Sequence, residues 1–266
     1  MVRTGAPSGP PRLPAPPGLL LDLLAFDLDG TLADTEPLKA ESYAWAATRL
    51  RPDLDAAAVE GAYNDCVGLS RQQIATSLLN RFGLADAARA HDGSVEPWRS
   101  FVGLRLERYR ERLADGGVLR ANAHAEAIAL VRRGHALARS VALVTTSGRE
   151  NVTLVLAGLG LSDAFDLTIS ADDVSATKPD PEGYRRAIVE TGSAPDRSLA
   201  VEDSPAGARA ALAAGLGLVV VPDDLTREGI RALVEAGTLG RDAVLSARRL
   251  AGAVEARARA VAARAA

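Results

Sequence analysis

Asp27 and Asp29 stand two residues apart in Asp27-Leu28-Asp29-Gly30-Thr31-Leu32, where the apolar run Leu23 to Phe26 ends. Further along, Thr145-Thr146-Ser147 and Glu202-Asp203 also close apolar runs, and Lys178 lies in Thr177-Lys178-Pro179 after another. Together these positions offer hard oxygen ligands, one fixed cation and several hydroxyl donors. They contain no His or Cys, which disfavours a zinc or redox site. Carboxylates gathered without a neutralising arginine repel one another unless a divalent cation sits between them. Magnesium is the cation most compatible with carboxylate, water and phosphate-oxygen ligands. The chemistry that uses such a set is phosphoryl transfer, which needs alignment and charge neutralisation more than elaborate covalent steps.

Elements must bring these residues together. Leu23 to Phe26 is the short continuous apolar run expected of a strand buried on both faces. Similar runs occur at Val141 to Val144, Leu167 to Ile169, Leu199 to Val201 and Leu218 to Val221. Segments of helical period separate the later ones: Asn151 to Leu159, Pro181 to Glu190 and Pro205 to Ala214, with proline near a start and glycine past each end. The Gly158 and Gly160 pair reads as a helix terminus. The alternation predicts an α/β fold with a doubly wound, Rossmann-like parallel sheet. In such a sheet ligands sit outside the carboxyl ends of the strands, where the carboxylates, hydroxyls and lysine fall.

More than a hundred residues separate Phe26 from Val141, far beyond one crossover helix. Within that interval Leu38 to Leu50, Arg71 to Phe82 and Pro97 to Leu113 carry apolar residues at three- and four-residue spacing. We expect an inserted α-helical cap domain over residues 35–119, hinged near Ala33–Thr35 and Gly116–Leu119. Residues 19–34 and 120–240 then form the catalytic core. Residues 241–266, rich in alanine and arginine with a weak apolar stripe, predict a surface helix that frays. Residues 1–18 carry too many prolines for a helix or central strand and predict a disordered extension.

The first motif, Asp27-Leu28-Asp29-Gly30-Thr31-Leu32 with Asp34-Thr35-Glu36-Pro37-Leu38, resembles that of the haloacid dehalogenase superfamily. The resemblance continues in order through Thr145, Lys178-Pro179-Asp180-Pro181 and Val201-Glu202-Asp203-Ser204-Pro205-Ala206-Gly207, and covers roughly residues 21 to 225. Members with a helical cap in this place include beta-phosphoglucomutase-like proteins and many sugar-phosphate phosphatases. The resemblance implies that Asp27 attacks phosphorus and that Asp29 handles the protons. It implies that Thr145 and Lys178 bind the transferring group, with Thr146 beside them on the substrate. Magnesium is then held by Asp27, the Asp29 carbonyl and Asp203, with Glu202 close by.

In the cap, Gly68-Leu69-Ser70-Arg71 resembles the loop whose arginine meets the substrate's distal group. Arg105 resembles a second basic cap position, and Lys39 stands where many relatives have histidine. Arg71, Arg105 and Lys39 are therefore expected to bind a second phosphate or carboxylate, for which arginine's planar fork is suited.

The bulk numbers exclude other classes. A chain of 266 residues with a net charge of −3 has no electrostatic footprint for nucleic acid. No apolar run approaches the roughly 20 residues needed to span a bilayer. A signal peptide ending after Leu19 to Phe26 would remove the best strand, so the expected address is the cytoplasm. One cysteine, Cys66, leaves no intramolecular disulfide. His91, His124 and His135 fall outside every motif, and Asn151-Val152-Thr153 reads as a helix start. The resemblance implies a monomer, since such proteins are often monomeric. The expected activity is a magnesium-dependent phosphatase acting on a small phosphorylated metabolite. A phosphomutase shares every core residue, although Lys39 departs from its histidine. A non-catalytic binding module would not be expected to keep the full set.

Overall fold

The computed structural model describes residues 20–265; the expected extension over residues 1–18 lies outside the described residues. Five parallel strands form one sheet in the order β3-β2-β1-β4-β5: β1 Leu21–Phe26, β2 Ala138–Val144, β3 Leu167–Ile169, β4 Ser198–Glu202 and β5 Gly217–Val220. Alternate residues of β1 serve opposite faces. Leu24 and Phe26 join one apolar cluster with Val141, Leu143 and Val201, while Leu23 and Ala25 join another with Ala142, Val144 and Ala200. Both faces being covered, the strands read as unbroken apolar runs.

Helices complete the two outer layers. On one face lie α7 (Ala125–Arg132), α8 (Arg149–Leu159) and α12 (Leu250–Ala265); on the other lie α9 (Glu182–Thr191), α10 (Pro205–Ala213) and α11 (Arg227–Glu235). The terminal helix differs from the expected loose surface element. Leu250, Val254 and Ala258 are buried in the same cluster as Leu21 and Leu24. Spaced four apart, they form a narrow stripe of mostly small side chains, which hydropathy underweights although it lets the helix approach closely. The Gly158 and Gly160 pair marks the end of α8 as expected, with Gly160 capping it in the left-handed region, and Gly158 has a second role. It lies inside α8, and a Cβ there would come 2.3 Å from Leu119 Cδ1, so the missing side chain makes room for that leucine.

After β1 the chain leaves the sheet as a loop and returns beside itself. Ala33 pairs with Ala123, the Asp34 amide donates to the Asn122 carbonyl at 2.8 Å, and the His124 amide donates to the Leu32 carbonyl at 2.9 Å. The helices α1 (Glu36–Leu50), α2 (Ala56–Asn64), α3 (Arg71–Phe82), α4 (Ala85–Asp92) and α5 (Pro97–Ala114) occupy the excursion. They share an apolar cluster of their own, built on Tyr43, Tyr63, Leu78, Leu79 and Phe101, which also buries Cys66. The bounds of α3 follow from local chemistry: Ser70 and Gln73 form a reciprocal capping box, and Gly83 ends the helix in the left-handed region. The far end of α5 changes allegiance, since Tyr109 and Leu113 belong to the sheet-face cluster. Leu119, in α6 (Gly116–Ala121), is buried there too. Among the described residues no helix is long and apolar enough to cross a membrane.

Candidate active site

The sheet order makes β1 the neighbour of both β2 and β4, so the chain diverges to either side of the first aspartates. The carboxyl ends of β1, β2 and β4 carry Asp27, Thr145 and Glu202-Asp203 to one place. Register helps: the Asp27 amide donates to the Val201 carbonyl at 3.0 Å, locking the aspartate beside the end of β4. Asp27, Glu202 and Asp203 are all buried, and each can present an oxygen within 4.8 Å of the others.

Lys178 answers part of that charge. Its ammonium donates to Asp27 Oδ1 at 2.6 Å, to Glu202 Oε1 at 2.6 Å and to the Val144 carbonyl at 2.7 Å. All three of its protons are thereby committed. Glu202 Oε1 also accepts from the hydroxyl of Tyr184 at 2.6 Å. One ammonium cannot neutralise three buried carboxylates. Burial, together with Glu202 and Asp29, raises Asp27 to about 7 despite the opposing pull of Lys178. Asp203 is pushed well above the carboxylate range by burial and by Asp27 and Glu202. Asp203 Oδ1 and Glu202 Oε2 are buried without a hydrogen-bond partner. This uncompensated negative pocket of hard oxygens fits a divalent cation.

The backbone around the pocket is shaped to admit these side chains. Gly30 has φ of +80°, and a Cβ on it would come 2.2 Å from Asp203 Oδ2. Only glycine both adopts that turn and leaves Asp203 its space. Ser204 caps α10 by accepting from the Gly207 amide at 3.1 Å, which orients the turn directly after Asp203.

Asp29 occupies a different environment. Its Oδ2 accepts from the Ser147 hydroxyl at 2.7 Å and from that of Thr145 at 3.4 Å. Its Oδ1 accepts from the Thr35 hydroxyl and pairs with Lys39 at 3.1 Å. Burial alone would raise Asp29, but the Lys39 ammonium and these hydroxyls outweigh it and lower the group to about 2. Lys39 in turn donates to Glu36 Oε1 at 2.7 Å, and Tyr63 donates to the other oxygen of Glu36. Burial would lower Lys39, yet Asp29 and Glu36 hold it well above the ordinary lysine range. Lys39 and Lys178 are the only lysines in the chain; every other basic side chain among its 31 is arginine.

The expected cap residues lie above this floor. Arg105 is buried between the rings of Tyr43 and Tyr109, each centroid 4.9 Å away. Its Nη1 meets Ser42 Oγ at 3.5 Å, while its Nε has no partner. Arg71, in the first turn of α3, is lowered by partial burial and by the nearby guanidinium of Arg105. Two cations close enough to repel, one of them without a carboxylate partner, form a receptive place for an anion. Thr146 is exposed, whereas Thr145 and Ser147 turn inward together. An extended chain sends alternate side chains to the same side, so period two was the signal for Ser147. Tyr184 gives no polar signal in the sequence, because it reads as an apolar position of a helix. A phenol on a buried helix face must find a partner, and that was the available clue.

Comparisons with known proteins agree with this geometry. The family model for haloacid dehalogenase-like hydrolases matches residues 21–215. Protein CbbY of Rhodobacter capsulatus is 31% identical over 215 residues, covering 78% of this chain and 88% of that relative. The phosphoglycolate phosphatase of Rhodospirillum rubrum is 32% identical over 212 residues, covering 78% and 82%. The crystal structure of a CbbY variant from Rhodobacter sphaeroides in complex with xylulose-(1,5)bisphosphate superposes with a TM-score of 0.56 at 27% identity, covering 78% and 89%. With the family model spanning four of the five strands and every residue of the acidic pocket, the chain belongs to the haloacid dehalogenase-like hydrolases.

Proposed function

We propose that the protein is a magnesium-dependent phosphatase that hydrolyses a small phosphorylated metabolite, a sugar phosphate, through an aspartyl-phosphate on Asp27. The observation that carries this reading is the contrast between two neighbouring carboxylates. Asp27 is bound to Lys178 inside an acidic pocket, while Asp29 is held apart by Thr35, Lys39 and Ser147. Asp27 thus lies where Lys178 and a cation can gather a phosphoryl group against it, while Asp29 lies among hydroxyls, where a proton can be passed.

In the first step an Asp27 oxygen bonds to phosphorus as the bond to the substrate oxygen breaks. The leaving oxygen takes a proton from Asp29. For that, Asp29 takes a proton from solvent as the entering substrate draws the Lys39 ammonium away from it. In the second step a water attacks phosphorus, Asp29 accepts its proton, and the Asp27–phosphorus oxygen bond breaks to release phosphate. Thr145 and Lys178 steady the phosphoryl oxygens. Asp27, Asp203 and the Asp29 carbonyl would hold the magnesium ion, with Glu202 adjoining. When bound, the ion neutralises charge on the phosphoryl group.

Residues 35–119 act as the cap in this reading and choose the substrate. Arg71, Arg105 and Lys39 face a second anionic group, with Thr146 at the rim. A relative's complex with xylulose-(1,5)bisphosphate supports a substrate of that kind. Phosphorylated sugars are retained inside cells, and we place the enzyme in the cytoplasm with them. The test is a panel of mono- and bisphosphorylated sugars and phosphoglycolate, scored for free phosphate and for isomerised product. We expect phosphate with magnesium and none in excess EDTA. Isomerised product without net phosphate release would select a phosphomutase instead, and neither product would leave a binding module.

A further inference from the structure

One buried phenol takes no part in the chemistry assigned to Asp27 and Asp29. Tyr184 lies in the first turn of α9, fully buried, and its hydroxyl donates to Glu202 Oε1 at 2.6 Å. The same oxygen accepts from the Lys178 ammonium at 2.6 Å, and that ammonium lies 5.2 Å from the Tyr184 ring centroid. The phenol therefore meets the lysine twice, through a shared carboxylate oxygen and through its ring face. Glu202 has no room to turn away. A Cβ at Gly207 would come 1.9 Å from its Oε2, so that oxygen is pressed against the backbone of α10.

We propose that Tyr184 is a positioning residue for phosphoryl transfer, its hydroxyl anchoring Glu202 and its ring walling in Lys178 so that the ammonium stays aimed at Asp27. The physical reason is competition for one oxygen. Glu202 Oε1 accepts from both the phenol and the ammonium, so the phenol satisfies part of its charge. Lys178 is then held at Glu202 without being drawn off the nucleophile. Remove the hydroxyl, and the buried carboxylate has only the ammonium to turn to. Lys178 would tilt towards Glu202 and away from the oxygens whose charge grows in the transition state. This inference rests on Asp27 and Lys178 being the reacting pair.

The test compares wild type, Tyr184→Phe and Tyr184→Leu with magnesium and p-nitrophenyl phosphate. Losing a hydrogen bond to a charged group should lower kcat of the Phe variant about tenfold while KM changes by less than about twofold. The Leu variant, which also loses the ring, should fall further. An unchanged kcat for Tyr184→Phe, or a loss that only tracks a smaller folded fraction in thermal melts, would overturn the inference. A second readout does not depend on turnover. Because the chain has only Lys39 and Lys178, nitrogen-15 lysine labelling yields two side-chain ammonium resonances. Tyr184→Phe should move the Lys178 resonance and speed its hydrogen exchange while leaving that of Lys39 in place. A Lys178 resonance that does not move overturns the anchoring. If wild type released no phosphate, the phosphatase reading would fall, while the lysine resonance would still decide whether Tyr184 aims Lys178.

Discussion

Asp27 and Asp29 begin as equivalent letters and end in opposite fields, and the difference has a measurable consequence. The folded protein raises Asp27 from its ordinary 3.8 to about 7, so it retains a proton that the unfolded chain has already released. Wherever the folded state binds more protons, stability falls as pH rises, here between the unfolded value near 3.8 and the folded value of about 7. Asp29 acts the other way. Its contribution is present above 3.8 and is lost only as pH falls towards about 2. In the metal-free protein Tm should therefore decline from about pH 5 to about pH 8 as the acidic pocket ionises. Saturating magnesium should raise Tm by about 5 °C or more at the higher pH and by less at the lower one. A magnesium effect that is absent, or larger at acid pH, would contradict the pocket's role. At this scale the sequence was informative wherever a residue sat in a motif: Asp27, Asp29, Thr145, Lys178, Glu202 and Asp203 converge. Tyr184 and Ser147 were less visible because their partners lie 18 and 118 residues away, a separation set by packing.

The strands were legible because each is buried on both faces, which leaves an unbroken apolar run and a polar residue at the end. Helices with strong local signals were legible too. Arg71–Phe82 has a capping box at one end and a left-handed glycine at the other, so its bounds follow from chemistry within a few residues. The short helices Ala56–Asn64 and Ala85–Asp92 were obscured by alanine, which favours helices but carries little hydrophobic contrast. The same weakness hid the role of α12. Its apolar stripe is narrow, yet Val254 is wholly buried beside Leu21 and Leu24. Val254→Ala should therefore cost about 2 kcal/mol, read as a shift of the urea midpoint at constant slope. A midpoint unchanged from wild type would return α12 to the surface.

Across the whole molecule, the proposed function assigns reaction and selection to different parts. The sheet ends carry Asp27, Lys178 and the acidic pocket, while the helical excursion carries Lys39, Arg71 and Arg105. Contact between the two parts is mixed. Tyr109 and Leu113 anchor α5 in the sheet-face cluster, while the Arg110–Glu150 pair at 2.7 Å is exposed and contributes little. Selection is where Arg105 enters, since it is buried with an unpartnered Nε. Arg105→Ala should reduce the preference for bisphosphorylated over monophosphorylated sugars, taken as a ratio of kcat/KM, by at least about tenfold. An unchanged preference would remove Arg105 from substrate recognition. The central claim is that Asp27 carries the phosphoryl group between substrate and water. Its most direct measurement is acid-quench mass spectrometry of Asp29→Asn after mixing with magnesium and p-nitrophenyl phosphate, whose nitrophenolate leaves without a proton from Asp29 while the attack of water still lacks its base. We predict one phosphoryl increment on the peptide containing Asp27, absent when Asp27→Asn is added. A phosphoryl group on any other residue, or phosphate release by a variant lacking the Asp27 carboxylate, would contradict it.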